Sequence, residues 1–430
     1  MRVTRALGMN LKQEYLLLEG LDAGIAIKVN SAFLDGLPFI FSHWPYEIVS
    51  ETDREIFATI ELKDDERFHL TSPFIEKPNS YRDALNTICA IVAELAWQRL
   101  REDPSLLCIH GAAAEFAGRL VVFPATRKAG KSTLSVAMAA AGVRMFTDDF
   151  LPISVEDDGI IRGISSGVSP RLRLPLPTQI GRVATDFMAR RQLLSNSQYT
   201  YVKPLKTENA KYGEALPLGG FVFLERADGA VAEMSEISTA DALKTLIYQN
   251  FSRAGNAGDI LAMLEFVALN LPCYLLKYDH AEPAIALLKS HFAAWESPLP
   301  AYTPRAALDN AFETRDIQFA RYTDMEAGQF EHADGVEVVS ADGQRFLTGR
   351  NGQSIHYLNE GAALIWQILS EPASLSETVE ILLAAFPEQA RADVEKDVLR
   401  CFKDFGANGL LRKIEGTAQP LAQAAEQPAL

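Results

Sequence analysis

Cysteine is scarce in this chain: Cys89, Cys108, Cys273 and Cys401 are the four among 430 residues, with no C-x-x-C pair. That argues against a disulfide framework or a cysteine zinc site. Four reduced thiols in apolar surroundings, as at Leu107-Cys108-Ile109, are expected instead. The seven histidines show no metal-ligand spacing. No apolar run is long enough to cross a bilayer, and no signal-type apolar stretch follows the first residues. A cytoplasmic location and no membrane partner are expected. Basic residues are outnumbered, 41 against 56 acidic, and the net charge of -15 argues against nucleic acid as the main partner. A hydrophobic content of 48% and a charged content of 23% are those of a globular protein with room for two or three domains.

The most informative stretch is RLVVFPATRKAGKST, residues 119–133. Residues 120–123 form a short apolar run of strand formers. Residues 132–142 read as an Ala-rich helix with a glycine stop. Between them a loop ends Gly130-Lys131-Ser132. In a phosphate-binding loop, backbone N–H groups point inward and the helix N-terminus adds partial positive charge. The cradle here would be Ala125, Thr126, Arg127, Lys128, Ala129, Gly130, Lys131, Ser132 and Thr133. Lys131 fits the group that reaches the outer phosphates, and Ser132 the hydroxyl on Mg²⁺. Ala125 stands where the pattern usually has its first glycine, which narrows the backbone choices there.

Residues 1–80 read as strands and turns, a β-rich module without chemistry. Residues 81–101 carry Leu85, Ile88, Ile91, Val92, Leu95 and Leu100 at helical spacing, a core-packing stripe. Residues 107–123 read as two strands joined near Ala117-Gly118. His110 closes the first apolar run; taken alone, such a histidine reads as structural. After the loop helix, a strand ends in Asp148-Asp149. Two carboxylates at a strand end, one helix and one strand beyond a phosphate loop, suit Mg²⁺ binding and base catalysis. Arg171 and Arg173 share one face of an extended segment, serving either a phosphate or acidic substrate or a solvated surface. Residues 187–217 read as a long loop over the site. A strand at 219–224, helices within 239–269, a strand at 273–276 and a helix from Pro283 to about 294 complete this part.

Residues 296–330, with Pro298, Pro300 and Pro304, read as a linker. Three short strands follow at 336–339, 345–348 and 354–358, with Asp342-Gly343 and Asn351-Gly352 as hairpin turns. Three helices come next: one from Asn359 with Ile365, Trp366 and Leu369 inward, one opened by the capping box Ser374-Leu375-Ser376-Glu377, and one over 392–405. The tail from 416 is expected to be disordered. The domains are thus 1–80, 81–295, the linker 296–330, 331–415, and the tail 416–430.

The segment CIHGAAAEFAGRLVVFPATRKAGKSTLSVAMAAAGVRMFTDD resembles the catalytic core of HPr serine kinase and its relatives, in which a His-Gly strand end, a phosphate loop and an Asp-Asp pair recur. The resemblance implies an α/β P-loop kinase core like the HPr kinase C-terminal domain, which uses ATP and Mg²⁺ to phosphorylate a hydroxyl group. Lys131 would bind phosphates, and Ser132 and one aspartate the metal. The other aspartate would take the hydroxyl proton, with His110 near it. Which of Asp148 and Asp149 does which is left open.

Residues 331–413 resemble PqqD-like domains through IHYLNEGAALIWQILSEPASLSETVEILLAAF and VEKDVLRCFKDFGANGLL. That resemblance implies a winged-helix α+β fold that captures a leader peptide by adding it as a strand. A winged-helix DNA binder is the alternative, against which Asp393, Glu395, Asp397 and Asp404 on the third helix count. Together the two resemblances imply a peptide kinase that phosphorylates a Ser or Thr of a precursor peptide held by the C-terminal domain. The rival readings are a nucleotide-binding peptide chaperone without phosphoryl transfer and a small-molecule hydroxyl kinase. The oligomeric state is left open.

Overall fold

The computed structural model describes residues 11–124, 129–251, 257–304, 325, 327–349 and 354–414. Loop residues 125–128, linker residues 305–324 and 326, the Asn351-Gly352 turn and the tail 416–430 lie outside the described residues. The chain is a mixed α/β protein with several sheets, in two compact units. One comprises Met1–Gly255 and Ala262–Arg305, the other Asn256–Leu261 and Ala306–Leu430.

The first unit opens with strands β1 (Glu14–Leu18) and β2 (Gly24–Lys28), helix α1 (Ser31–Ile40), and strands β3 (Tyr46–Val49), β4 (Ile56–Leu62), β5 (Phe68–Thr71) and β6 (Asn79–Tyr81). The strands form one sheet in the order β3-β1-β2-β4-β5-β6, in which only β2 and β4 run parallel. Helix α1 corrects the expectation of strands and turns throughout this region. Gly36 and Pro38 read as breakers in the sequence. Yet the Asn30 side chain caps the helix by accepting from the Phe33 N–H at 3.3 Å, and Phe33, Leu37 and Ile40 are fully buried at helical spacing. Gly36 serves close packing: a Cβ there would lie 2.7 Å from Ile88 of α2 (Ala84–Glu102). Asp83 caps α2 through the Asn86 N–H at 2.9 Å. Its predicted stripe is buried against the first sheet, in one cluster with Phe33, Leu37, Phe68 and Leu70.

Next come β7 (Leu107–Phe116), β8 (Arg119–Pro124), α3 (Lys131–Ala140), β9 (Met145–Thr147), β10 (Phe150–Val155), β11 (Ile161–Ile164), β12 (Arg171–Arg173), α4 (Arg182–Ala189), β13 (Leu193–Ser195), β14 (Tyr199–Val202), β15 (Ala215–Arg226), β16 (Glu233–Glu236), α5 (Thr239–Gln249), α6 (Ala257–Asn270), β17 (Cys273–Tyr278) and α7 (Ala281–His291). The main sheet runs β11-β10-β7-β8-β15-β17-β16, with β9 also on β7. Strand β11 pairs with the first residues of β15 as well, so β10, β7, β8, β15 and β11 close a ring. Strands β8, β15 and β17 are parallel, so their carboxyl ends share one edge. The expectation of a long loop over 187–217 is corrected: α4 ends there, and β13 and β14 join β12 in a small sheet. These strands are three or four residues long, too short for a two-residue hydrophobic alternation to register.

The second unit contains β18 (Gln329–His332), β19 (Glu337–Ala341), β20 (Gln344–Thr348), β21 (Ile355–Leu358), α8 (Glu360–Ile368), α9 (Leu375–Ala385), α10 (Arg391–Ala407) and β22 (Leu411–Ile414). A meander β19-β20-β21 and a pair β18–β22 form its sheets. The capping box at Ser374 and Glu377 is present. Trp366 is the hub of the core, stacked on His332 at 3.7 Å and edge-on to Phe405 at 5.5 Å. Phe402 is fully buried and meets Phe330 edge-on at 5.8 Å. Truncating it as Phe402→Ala should cost about 3–5 kcal/mol. The urea midpoint of the C-terminal unit, followed by Trp366 fluorescence, should fall accordingly; an unmoved midpoint would contradict this packing.

Candidate active site

Strand register brings the sequence-predicted residues to one edge. Gly111 of β7 lies opposite Pro124, where β8 runs into the loop, and Ala113 lies opposite Thr147, the last residue of β9. His110 lies opposite Phe150, the first residue of β10. Asp148 and Asp149 therefore form the bend between two consecutive strands that pair with the same side of β7. The Gly111 N–H donates to the Asp149 carbonyl at 3.0 Å, and His110 Nε2 lies 3.2 Å from Asp149 Oδ1.

The start of α3 faces the same edge, through Ser132 on Asp148. Gly130 caps α3 with φ +96°, a left-handed conformation that costs an L-residue roughly 1–2 kcal/mol. A Cβ there would also lie 2.7 Å from the Tyr278 hydroxyl, which donates to the Ala129 carbonyl at 3.4 Å. Glycine is thus required on two counts. Lys131, Ser132 and Thr133 follow in the first turn of α3, whose N–H groups lack helical partners and favour an anion. Lys131 is 9% exposed. Residues Ala125, Thr126, Arg127 and Lys128 lie outside the described residues.

The two carboxylates differ sharply in surroundings. Asp148 is 7% exposed and accepts the Arg171 N–H at 2.9 Å and the Ser132 hydroxyl. Burial, and then the charge of Asp149, push its carboxyl up to about 6, against the pull of Arg171 and Ser132. Asp149 keeps 41% of its side-chain area open. Its burial by the surrounding protein acts upward, but the His110 hydrogen bond and the charges of Arg171, His110 and Lys131 outweigh it and hold the carboxyl below its ordinary value. Neighbouring acids with environments that split their protonation are a recurring feature of acid–base sites.

Arg171 completes the cluster. Its guanidinium lies 3.7 Å from Asp149 Oδ2, touches the Cys89 sulfur and sits over the Tyr199 ring. Behind Asp148, Cys89, Ser169, Arg171 and Tyr201 help to line a cavity of about 10 Å³, the room of one water. A substrate therefore has access on the open side of Asp149. Sequence reasoning raised Arg171 only as an option and missed Tyr199 and Tyr278. The signal for Tyr278 was its place at the carboxyl end of a strand parallel to β8; β14 gave none. Among the described residues no three His, Cys, Asp or Glu side chains cluster as a metal site. Mg²⁺ needs only one or two carboxylates beside phosphate oxygens, and the Ser132 hydroxyl with the Asp148 carboxylate is such a hard-oxygen donor set.

The elevated Asp148 value has a stability consequence. Folding favours its protonated form, so stability falls as pH rises from 3.8 to about 6 and the penalty persists above. Asp148→Asn, in chelator, should gain stability at pH 7–8, up to about 3 kcal/mol, and gain nothing near pH 3.5. Denaturant midpoints across that range test it; an equal effect at both ends would refute the assignment.

Residues 338–411 match the family described as coenzyme PQQ synthesis protein D (PqqD). Among solved structures, the Hpr(Ser) kinase/phosphatase from Coxiella burnetii is similar at 12% identity, over 43% of this chain and 95% of that one. Its TM-score is 0.23, too low for that likeness to carry an argument. No curated protein matches the chain. The chain thus carries a PqqD domain, joined to a separate α/β unit with its own cluster of acidic, basic and hydroxyl side chains.

Proposed function

We propose that the protein is a peptide kinase: it transfers the terminal phosphoryl group of ATP to a Ser or Thr hydroxyl of a precursor peptide held by the C-terminal unit. The observation that carries the reading is the meeting of the α3 N-terminus with two unlike carboxylates, Asp148 on Ser132 and Asp149 on His110.

The roles follow from the surroundings. The N–H groups opening α3, with Lys131, bind the phosphates. Asp148, buried and bonded to Ser132, is the metal-side carboxylate. Mg²⁺ bound there would neutralise charge on the phosphates. Asp149 is ionised at neutral pH and open to solvent, which suits the base. It takes the hydroxyl proton on a carboxylate oxygen as the substrate oxygen bonds to phosphorus and the bond to the diphosphate breaks. His110 holds Asp149 in orientation. Tyr278 fixes the end of the loop from below.

The C-terminal unit would supply substrate by strand addition. In its meander β19 and β21 are the outer strands, and Val338 on β19 is 48% exposed. The acidic residues of α10, Asp393, Glu395, Asp397 and Asp404, are all exposed and suit a peptide better than a phosphate backbone. Tethering raises the local substrate concentration to about millimolar, so weak affinity at the reacting centre suffices.

Two substitutions test the roles in full-length protein. Lys131→Ala should cut phosphate transfer from ATP by about 10³-fold or more while leaving peptide capture, read by fluorescence anisotropy, unchanged. Asp149→Asn should lower kcat by about 10²–10⁴-fold with little change in the KM for ATP. Full turnover in either variant would remove the role given to that residue; ATP uptake without transfer to any peptide would replace the kinase with a nucleotide-gated chaperone.

A further inference from the structure

Strand β12 carries two arginines, of which the site uses one. Leu172 between them is 1% exposed and packs in the cluster around α3, so Arg171 and Arg173 project from the opposite face. Both guanidinium groups lie over the same Tyr199 ring, at 5.0 and 5.7 Å from its centre. Arg171 is engaged with Asp149. Arg173 is exposed, and among the described residues it forms no ion pair and no side-chain hydrogen bond. Other arginines of this unit are committed internally: Arg144 to Glu214, Arg162 to Asp158 and Arg191 to Glu208. Stacking on an aromatic face orders a guanidinium plane without using its N–H donors. Arg173 is thus oriented and unspent, one strand repeat from Arg171, which touches the proposed base Asp149.

We propose that Arg173 is a specificity residue that reads a carboxylate on the phosphate-accepting peptide, close to the hydroxyl that reacts. The inference rests on the kinase reading, with Asp149 as the base. Alternate residues of a strand lie about 7 Å apart, on β12 and on an extended peptide alike. A hydroxyl presented at Asp149 beside Arg171 therefore brings the side chain two residues along the peptide, on the same face, within reach of Arg173. A carboxylate is the group that matches its donors, through paired N–H···O bonds. Two sources share this chemistry, an acidic side chain or the chain's own terminal carboxylate. In a protein of net charge -15, an unneutralised cation beside the reacting centre also selects against acceptors with a basic residue at that place.

The test uses full-length protein, Mg-ATP and synthetic peptides with a single serine. One set carries Glu or Gln two residues to either side of the serine, with an amidated C-terminus. A second set is neutral and carries the serine near a free or amidated C-terminus. We expect kcat/KM to favour the carboxylate member of one set by about tenfold. In Arg173→Gln that ratio should fall to about one, with Arg173→Lys restoring part of it and the KM for ATP unchanged in both. A preference for Glu identifies an acidic side chain, and one for the free acid identifies the terminus; either supports the inference. The same preference in wild type and Arg173→Gln, no preference in either set, or a raised KM for ATP overturns it while the kinase reading stands. Absence of transfer to every peptide overturns the kinase reading and this inference with it.

Discussion

Asp148 and Asp149 are adjacent in the chain, and their two negative charges would repel if both were left ionised in the same surroundings. The fold separates them. Burial, and then the charge of Asp149, favour the protonated state of Asp148 against the pull of Arg171 and Ser132, and His110, Arg171 and Lys131 favour the ionised state of Asp149. Coulomb energies between close charges rise steeply as water is excluded. The pair sits in the β9–β10 bend, which is held before and after by pairing with β7 and faced by Ser132 at the start of α3.

Much of the first unit can be understood as that support. The ring of β10, β7, β8, β15 and β11 holds the edge in place, and a one-residue slip between β7 and β10 would turn His110 and Asp149 to opposite faces. The amino-terminal sheet and α2 close the side behind Arg171, where Cys89 of α2 touches the guanidinium. On the far side Tyr278 occupies the space that a side chain at position 130 would need, so β17 sets where the loop ends. The residues with chemistry come from elements distant in sequence: β7, the bend between β9 and β10, and β17 belong to the main sheet, Lys131 and Ser132 open α3, and Arg171 comes from the small sheet.

Legibility varied with how local each signal was. Gly130-Lys131-Ser132 could be read because strand, loop and helix are consecutive and a single glycine conformation governs their junction. Asp148-Asp149 could be read from its place one helix and one strand later. The helix α1 was not, since Gly36 and Pro38 look like breakers until Ile88 is seen packed against Gly36. The segment 187–217 was not, because Leu193–Ser195 is held by Tyr199–Val202, which is held in turn by pairing with Arg171–Arg173, a contact between residues some thirty apart. The three strands of the carboxyl-terminal meander and the three helices were legible in type, since the Ser374 capping box and the Trp366 and Phe402 periodicity are contained within single elements, whereas β18 and β22, which pair across some eighty residues, were not.

Sequence by itself determined the chemistry available: a lysine and a hydroxyl opening a helix, a pair of carboxylates, two arginines on one strand face, and a carboxyl-terminal module with a recognisable pattern. It could do so because those features depend on spacing along one strand or helix. Only the tertiary structure decided how the chemistry is divided. It set Asp148 inward on Ser132 and Asp149 outward on His110, engaged Arg171 with Asp149 and laid Arg173 over Tyr199. Those assignments depend on desolvation and on through-space charge, which are properties of the folded neighbourhood and have no counterpart in the order of residues.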